Sequence, residues 1–365
     1  MQTRIPRVIA IALVVGACAS PGPSSPPTGA PPLATAAAPT GLAVPSSRGS
    51  AGARAPICPN LKPSWVAYHH DPNDGVPDPE GRILFGQIDR EDEIIGQAIA
   101  PLFSMDADGS DVVQLFDCDL ERPRISRDGS RIAFTIAMDD NSWQVATIDA
   151  DGSDLRILTS TAGYAETPDW SADGTWLIYA TQATQCSRNP LCDSLHEALW
   201  RMNADGSDQR EIGSKPDTAH DWEPRVSPDG KQVVFVQSTP EDGYLWHVMI
   251  LDLVTGKAHE VRKETRDVEH PDWSTDGKFI VYNVTPGGPI ERISVDDPSA
   301  APVILTHDLG RSAYKPAYSP DGASIVFGCD GSVCRMDANG SNIRELIRIP
   351  GVDFNHFAWG PPWQP

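Results

Sequence analysis

Side chains that bind metals or polar ligands recur at one place in this sequence, in the two positions before a repeated proline. The residues there change from one repeat to the next, whereas the letters that follow them are nearly constant. Imidazole nitrogens and carboxylate oxygens coordinate divalent metals, and with aromatic neighbours they bind peptides or sugars. The candidate binding residues are Glu121, Arg122, Glu166, His220, Trp222, Glu223, Glu269, His270, Tyr314, Lys315, Asn355 and His356.

These residues are positioned by a pattern that reads Pro-x-Trp-Ser-x-Asp-Gly and continues into an apolar stretch. Its five copies are marked by serines spaced 45, 56, 47 and 45 residues apart, namely Ser126, Ser171, Ser227, Ser274 and Ser319. The tryptophan offers a large apolar plate, and Ser-x-Asp-Gly favours a tight turn because glycine accepts a positive φ. A second turn pattern, typified by "MDADGSD" from Met105, falls between the copies. Each unit therefore predicts four short strands.

Units of this length with four short strands each are typical of a β-propeller. The ends of the repeat region supply one more unit. "GRILFG" at 81–86 looks like a second strand without a first, and "FAWG" at 357–360 looks like a first strand with nothing after it. We expect the C-terminal strand to join the N-terminal blade, because this leaves no open sheet edge. The predicted fold class is all-β, a six-bladed β-propeller of four-stranded blades over residues 81–360.

The repeat also resembles a known one. Copies such as "PDWSTDGKFIVY" at 271–282 are similar to the WD40-like PD40 repeat of the TolB family of six-bladed propellers, and the resemblance covers about residues 81 to 360. It implies the propeller fold and a protein partner, because TolB is a periplasmic protein that binds a peptidoglycan-associated lipoprotein at one mouth of its ring. TolB carries an α/β domain before its propeller, whereas here only an N-terminal extension, residues 57–80, precedes the first blade.

The first 18 residues match a lipoprotein signal peptide. Arg4 and Arg7 precede a short apolar run, and small residues lead into Cys18 as in a bacterial lipobox. We expect cleavage and lipidation at Cys18; an ordinary signal peptide with an incidental cysteine is the alternative. Residues 19–56 are rich in Pro, Ala and Ser and are expected to form a disordered tether, and residues 361–365 a tail. The predicted location is exported and lipid-anchored, facing the periplasm or the cell exterior.

Six cysteines follow Cys18, and an even number in an exported chain suggests disulfides. Closeness in sequence favours the pairs Cys186–Cys192 and Cys329–Cys334, because short separations fit hairpin geometry. Elimination then leaves Cys58–Cys118, although the sequence alone leaves other pairings open. Zinc binding is the alternative, but the sequence contains no Cys-x-x-Cys.

Charge and motif content argue against several classes of function. Lys plus Arg number 29 against 50 for Asp plus Glu, a net charge of −21, whereas nucleic-acid binding needs a basic face. No Gly-x-Ser-x-Gly elbow occurs, and "HEALW" at 196–200 has Trp200 where a zincin helix needs its second histidine. The "DADGSD" turns place glycine too early for a calcium loop of the EF-hand type. No cofactor is predicted, with a divalent metal in the channel as the alternative.

The first strand of each propeller blade lies nearest the axis, so the residues before the proline line the mouth of the central channel. They either hydrate a water-filled channel or bind a ligand. The predicted function is a non-enzymatic, monomeric binding platform at the cell envelope that recognises a protein, peptide or glycan partner at this mouth. Two alternatives are a metal-assisted lyase or hydrolase acting on extracellular carbohydrate through a His/Glu funnel, and an accessory or sensor subunit of an envelope complex.

Overall fold

Antiparallel β-strands form nearly all of the regular structure in the computed structural model, which describes residue 56 and the ranges 81–89, 100–182, 197–213, 219–261, 265–307, 309–348 and 352–361. One short 3-10 helix, Pro240–Asp242, is the exception among these residues. None of the helices described is long and apolar enough to cross a membrane. The predicted signal peptide, lipidation site, N-terminal extension, most of the tether and of the tail, and the cysteines Cys58, Cys186 and Cys192 lie outside the described residues.

Five four-stranded sheets follow chain order and form the second to sixth blades. The second blade comprises β4 Leu120–Ile125, β5 Arg131–Ala137, β6 Trp143–Asp149 and β7 Arg156–Ile157. The third comprises β8 Ala165–Trp170, β9 Trp176–Gln182, β10 Glu197–Asn203 and β11 Arg210–Glu211. The fourth comprises β12 His220–Val226, β13 Gln232–Ser238, β14 His247–Asp252 and β15 Lys257–Glu260. The fifth comprises β16 Asp267–Trp273, β17 Phe279–Thr285, β18 Ile290–Ser294 and β19 Val303–Ile304. The sixth comprises β20 Ala313–Tyr318, β21 Ser324–Cys329, β22 Ser332–Asp337 and β23 Arg344–Arg348.

The first blade combines strands from both ends of the repeat region: β24 Val352–Gly360, β1 Arg82–Asp89, β2 Leu102–Asp106 and β3 Val113–Phe116. β24 pairs antiparallel with β1, so that Leu84 lies opposite Ala358. The first strands of the sheets contact one another in the cyclic order β24, β4, β8, β12, β16, β20 and back to β24. The predicted fold class, a six-bladed propeller closed by the C-terminal strand, is therefore confirmed.

Apolar residues of the second and third strands fill the space between neighbouring blades. The rings of Phe134, Tyr179 and Phe327 are buried in clusters that each combine residues from two adjacent blades. Burial of one such side chain contributes about 2 kcal/mol. The repeated tryptophan also reaches the preceding blade, because Trp170 Nε1 donates to the carbonyl of Arg124 over 3.1 Å. The tryptophan plate expected from the sequence thus packs and hydrogen-bonds at the same time.

The Ser-x-Asp-Gly segment is a hydrogen-bonded turn in every copy. In the third blade the Ser171 hydroxyl donates to Asp173 Oδ1 over 2.7 Å and accepts the backbone N–H of Trp176 over 3.0 Å. The backbone and hydroxyl of Thr175 also donate to the Asp173 carboxylate. These hydrogen bonds, that of Ser171 foremost, lower the pKa of Asp173 to about 2. The aspartate is thereby engaged in holding the turn, as a hairpin interpretation requires.

The second turn pattern fixes the spacing of blades at their outer edge. Gly152, with φ +86°, lies so close to the carbonyl of Leu115 in the preceding blade that no Cβ fits there. Gly340 approaches the carbonyl of Leu305 in the same way in the sixth blade. Glycine is required at these turns both for the positive φ and for the close approach.

The topology separates two kinds of connection onto opposite faces of the ring. Because the strands of each blade alternate in direction, the Ser-x-Asp-Gly turns and the "DADGSD" turns lie on one face, which we call the turn face. The connections between second and third strands, and those between blades, lie on the other, which we call the loop face. The first strand of every blade begins at the loop face, so the variable residues before the proline belong to it.

Cys329 and Cys334 form a disulfide at the hairpin between β21 and β22, on the loop face. This is one of the pairs expected from the sequence. Cys118 is also disulfide-bonded, and its partner lies outside the described residues. Two disulfide-bonded sites indicate a chain that folds in an oxidising environment.

Candidate functional site

A ring of left-handed residues surrounds the propeller axis near the loop face. In each first strand the register with the second strand shifts at the residue that precedes the proline, or at His356 in the first blade. The residues at the shift have φ between +51° and +56° and are Arg122, Thr167, Glu223, His270, Lys315 and His356. A left-handed conformation costs a non-glycine residue about 1–2 kcal/mol, so the surrounding structure must enforce it. We call these six residues the channel ring.

Side chains from neighbouring positions hold this strained backbone in place. The backbone N–H of Thr167 donates to Thr135 Oγ1 over 3.0 Å, and that of Lys315 donates to Asn283 Oδ1 over 3.1 Å. Thr135 and Asn283 each follow the buried aromatic residue of a second strand in the preceding blade. Sequence reasoning missed both, and the signal for them is a polar residue directly after that aromatic position.

Three members of the channel ring form a buried ionic network. Glu223 has no exposed surface, and its Oε1 lies 2.5 Å from Nδ1 of His270. Its Oε2 accepts the backbone N–H of His270 over 2.6 Å. Arg122 reaches from the second blade across to the fourth, with Nε 3.8 Å from Glu223 Oε1, and its Nη1 lies 3.6 Å from Glu166 Oε2.

The network sets the protonation states at the centre of the ring. Burial opposes ionisation of Glu223, but His270, Arg122 and Arg225 hold the pKa of its carboxyl below the ordinary value. Burial lowers the pKa of His270 to about 4, despite the nearby carboxylate of Glu223. His270 is therefore neutral near pH 7, and its Nδ1 lies beside an ionised Glu223. Burial likewise lowers the pKa of Lys315 to about 8, with Arg122 adding to the effect.

His356 occupies the same ring on the other side of Lys315. Its imidazole is 8% exposed, and its ring centre lies 6.1 Å from that of His270 in an edge-on arrangement. Burial and the surrounding cations Lys315 and Arg122 hold the pKa of His356 well below 6.5. Neither imidazole nitrogen has a hydrogen-bond partner among the described residues. His356 is thus a neutral, buried imidazole in a cationic part of the channel.

A second charged layer lies two residues further along the first strands and was not anticipated from the sequence. Its members, Arg124, Asp169, Arg225 and Asp272, occupy the variable position of Pro-x-Trp-Ser. Asp169 Oδ2 accepts the backbone N–H of Val226 from the next blade over 2.8 Å. Burial lowers the pKa of Arg225 to about 9 and raises that of Asp169. The sequence signal for this layer is that Arg and Asp alternate at the variable position of Pro-x-Trp-Ser in the first four copies of the repeat.

Carboxylates stand one residue before the channel ring, at its loop-face rim. We define the acidic rim as Glu121, Glu166 and Glu269. The side chains of Glu166 and Glu269 are 18% and 29% exposed, more than those of Arg122, Glu223 and His270 in the ring. Burial, together with the neighbouring charge of Glu223, raises the pKa of Glu269 to about 7. The pKa of Glu166 is also raised, chiefly by burial. Burial therefore disfavours the ionised form of both rim carboxyl groups, although Arg122 opposes this effect on each of them.

The remaining sequence-derived candidates occupy different surroundings. Trp222 lies on the rim beneath the guanidinium of Arg122, and His220 makes an edge contact with the ring of Tyr244. Tyr314 packs against the apolar cluster between the sixth and first blades. Asn355 pairs with Gly86 in the backbone register of β24 and β1, and its side chain lies outside the described part of the structure. The channel ring thus gathers five candidates, Arg122, Glu223, His270, Lys315 and His356.

Within the described part of the chain, no three histidine, cysteine or acidic side chains are arranged to hold a metal ion. The channel mouth instead carries groups that suit recognition. It has a rim of carboxylates, a buried charge network beneath the rim, and aromatic rings beside it. Such groups form hydrogen bonds, ion pairs and stacking contacts with a docked ligand.

Comparison with known proteins gives partial sequence matches. No protein-family profile matches the chain. The protein Atu1656 of Agrobacterium fabrum is 28% identical over 153 residues, which are 39% of this chain and 47% of that protein. The peptidase YuxL of Bacillus subtilis is 25% identical over 187 residues, which are 49% of this chain and 25% of the peptidase. The matches thus span about half of the first relative and a quarter of the second.

Solved structures match far more of the chain. TolB from Acinetobacter baumannii superposes with a TM-score of 0.60 at 18% identity, covering 77% of this chain and 67% of TolB. A putative TolB from Agrobacterium tumefaciens gives 0.55 at 15% identity, covering 78% of this chain and all of that one. A chain of a nidogen/laminin complex gives 0.58 at 8% identity, covering 77% of this chain and 98% of that one. At these identities the likeness concerns the fold: the protein is a TolB-like six-bladed β-propeller.

Proposed function

We propose that this protein is a non-enzymatic binding platform that recognises a protein or peptide partner on its loop face, around the channel mouth. The observation that carries the proposal is that the channel ring and the acidic rim, whose residues differ from blade to blade, lie near the face that bears the connections between blades. On the turn face, in contrast, the connection between first and second strands repeats the same Ser-x-Asp-Gly hydrogen bond in five blades. A rigid ring whose variable charged residues gather at one mouth of its channel is suited to recognition.

The comparisons support binding without assigning it. TolB-like propellers and the propeller of the nidogen/laminin complex share this fold, and the latter was solved as a protein complex. The peptidase YuxL matches over a quarter of its own length, so its activity does not extend to this chain by that match. Within the described residues, His270 lies between two carboxylates, with Nδ1 2.5 Å from Glu223 Oε1 and Nε2 3.6 Å from Glu269 Oε2, so both of its nitrogens face acidic groups rather than a hydroxyl or thiol nucleophile.

We place this platform outside the cytoplasm. The disulfides at Cys118 and at Cys329–Cys334 support an oxidising compartment. The lipobox-like sequence that ends at Cys18 supports a lipid anchor, and residues 19–56 would then link the anchor to the propeller. A Cys18→Ser protein is expected to leave the membrane fraction for the soluble one. Retention of that variant in membranes would contradict lipid anchoring at Cys18.

Site-specific photo-crosslinking in intact host cells tests the assignment of the loop face. A photoreactive phenylalanine analogue replaces Tyr164 or Tyr244 on the loop face, which are 47% and 53% exposed, or Val254 on the turn face, which is 82% exposed. We expect a discrete crosslinked partner from Tyr164 or Tyr244 and none from Val254. A partner captured only from Val254 would place the binding surface on the opposite face and contradict the proposal.

A further inference from the structure

Four aromatic side chains of the fourth blade form two ring pairs near the acidic rim, which we together call the aromatic shelf: His220 with Tyr244, and Trp222 with Trp246. The rings of Trp222 and Trp246 lie 5.9 Å apart, and those of His220 and Tyr244 lie 6.1 Å apart. Trp222 occupies the rim position between Glu166 of the third blade and Glu269 of the fifth. Carboxylates therefore flank the shelf on both sides at the channel mouth.

The outermost ring of the shelf is presented by a constrained loop. Tyr244 has φ +64°, which is unfavourable for a bulky residue, and it is 53% exposed. Its backbone N–H donates to the carbonyl of Thr239 over 2.8 Å, and the turn Pro240–Asp242 lies between them. The loop thus holds a large aromatic ring in solvent, where it gains nothing from burial in the core.

Arg122 shows within the molecule what this surface binds. Its guanidinium carbon lies 4.2 Å from the centre of the Trp222 ring, while its nitrogens reach Glu166 at 3.6 Å and Glu223 at 3.8 Å. Cations are favoured over the faces of tryptophan rings, and a carboxylate beside the ring adds an ion pair. One edge of the shelf is therefore occupied by an arginine of the chain itself.

The opposite edge offers the same chemistry to a partner. Asp267 Oδ1 accepts the backbone N–H of Trp246 over 3.1 Å, which ties the shelf to the start of β16. Glu269 lies two residues further along the same strand, on the same side of it, and its Oε2 is 3.6 Å from Nε2 of His270. That imidazole is neutral, and the pKa of Glu269 is raised by burial and by Glu223. A cation beside Glu269 would favour the ionised form of this carboxyl group.

We propose that the aromatic shelf and Glu269 bind a basic side chain, arginine or lysine, of the protein partner. The inference rests on the proposed function and names the chemistry of the docked group. Trp246 and Tyr244 contribute the aromatic faces, and Glu269 contributes the carboxylate. The net charge of −21 adds attraction for a basic partner segment.

NMR titration of the purified protein tests this with small probes. The probes are N-acetyl-arginine amide, N-acetyl-lysine amide and, as the neutral isostere of arginine, N-acetyl-citrulline amide. The indole N–H signals of Trp222 and Trp246, assigned by single Trp→Phe variants, are expected to shift with the two cations and not with citrulline. The signal of Trp176, which contacts Arg201 towards the turn face, serves as the internal reference.

Matched variants separate the shelf from general surface effects. Tyr244→Ala and Glu269→Gln are each expected to weaken binding of the arginine probe roughly two- to fivefold, the size of an exposed cation–π contact. Tyr164→Ala, which removes an exposed tyrosine outside the shelf, and Glu211→Gln, on the outer strand β11, should leave the affinity unchanged.

Equal shifts with citrulline, or unchanged affinity in both Tyr244→Ala and Glu269→Gln, would overturn the inference. Its failure is distinguishable from failure of the proposed function. A partner crosslinked from the loop face without arginine binding would refute only the basic group, whereas a partner crosslinked from the turn face alone would refute the loop-face platform itself.

Discussion

His270 Nδ1 lies 2.5 Å from Oε1 of Glu223, a carboxylate with no exposed surface at the centre of the propeller. Glu223 also accepts the backbone N–H of His270 and faces Arg122, so one carboxylate joins the second, fourth and fifth blades. Taking such a carboxylate out of water is costly unless every oxygen is paired. The buried charge at the axis is therefore part of what holds the inner strands together.

We predict that Glu223→Gln destabilises the folded protein by about 3–5 kcal/mol, because it removes the fully buried carboxylate that faces Arg122 and leaves this arginine only the partly exposed Glu166. Urea unfolding at pH 7, followed by tryptophan fluorescence, measures the free energy of unfolding. The control is Glu345→Gln. The side chain of Glu345 is 34% exposed, and its carboxylate lies 3.2 Å from Arg311. That change should cost less than about 1 kcal/mol. Equal costs for the two variants would show that the buried network does not stabilise the ring.

His356 makes the stability of the protein depend on pH, and its contribution is obtained by comparing the wild type with a variant that lacks this histidine. Its pKa in the folded state lies well below 6.5, because burial, Lys315, Arg122, His270 and Arg124 all disfavour the imidazolium. Between pH 6.5 and the pKa of the folded state, His356 is therefore protonated in the unfolded chain but not in the folded one. Lowering the pH through this window favours unfolding. We predict that, from pH 7 to pH 5, the free energy of unfolding of His356→Gln rises by about 2 kcal/mol relative to that of the wild type.

The measurement is urea unfolding of the wild type and the variant at pH 7 and at pH 5. The difference between their free energies of unfolding is taken at each pH, and the two differences are compared. Subtraction is needed because Glu269 and Asp119, whose pKa values are raised to about 7 and about 6, oppose the histidine as pH falls. The exposed His259 supplies the control, since His259→Gln should leave the difference flat. A constant difference for His356→Gln would mean that the imidazole titrates normally in the folded protein.

The constant letters of the repeat predicted the fold because they report local turn chemistry and burial, which repeat in every blade. Ser171, Asp173 and Trp170 carry this information in a single copy. The positions of Arg122 and Glu223 at the axis were also predictable, since the first strand of a blade lies innermost. Their contact was not, because it joins blades that are not adjacent in the ring. The left-handed backbone at the ring was hidden too, since these residue types rarely adopt it.

The turn serine gives a prediction that applies to every repeat. Ser171 is buried, and its hydroxyl both donates to Asp173 and accepts the N–H of Trp176. We predict that Ser171→Ala destabilises the protein by about 1–3 kcal/mol, because a buried backbone N–H loses its acceptor. Ser153→Ala is the control, since that serine lies in an exposed turn and its hydroxyl bonds only Asp151 in the same turn. Urea unfolding compares the two, and equal effects would assign no structural role to the repeated serine.

Two glycines with similar backbone angles separate the cost of a positive φ from the cost of blade spacing. Gly174 has φ +69° and open space where a Cβ would be added, whereas Gly152 has φ +86° and faces the Leu115 carbonyl of the preceding blade. We predict that Gly174→Ala costs about 1–2 kcal/mol, the strain of a left-handed alanine. Gly152→Ala should cost about 1–3 kcal/mol more, because the added Cβ must push the second blade away from the first. Thermal unfolding of both variants tests this, and similar losses would show that the outer turns do not set the distance between blades.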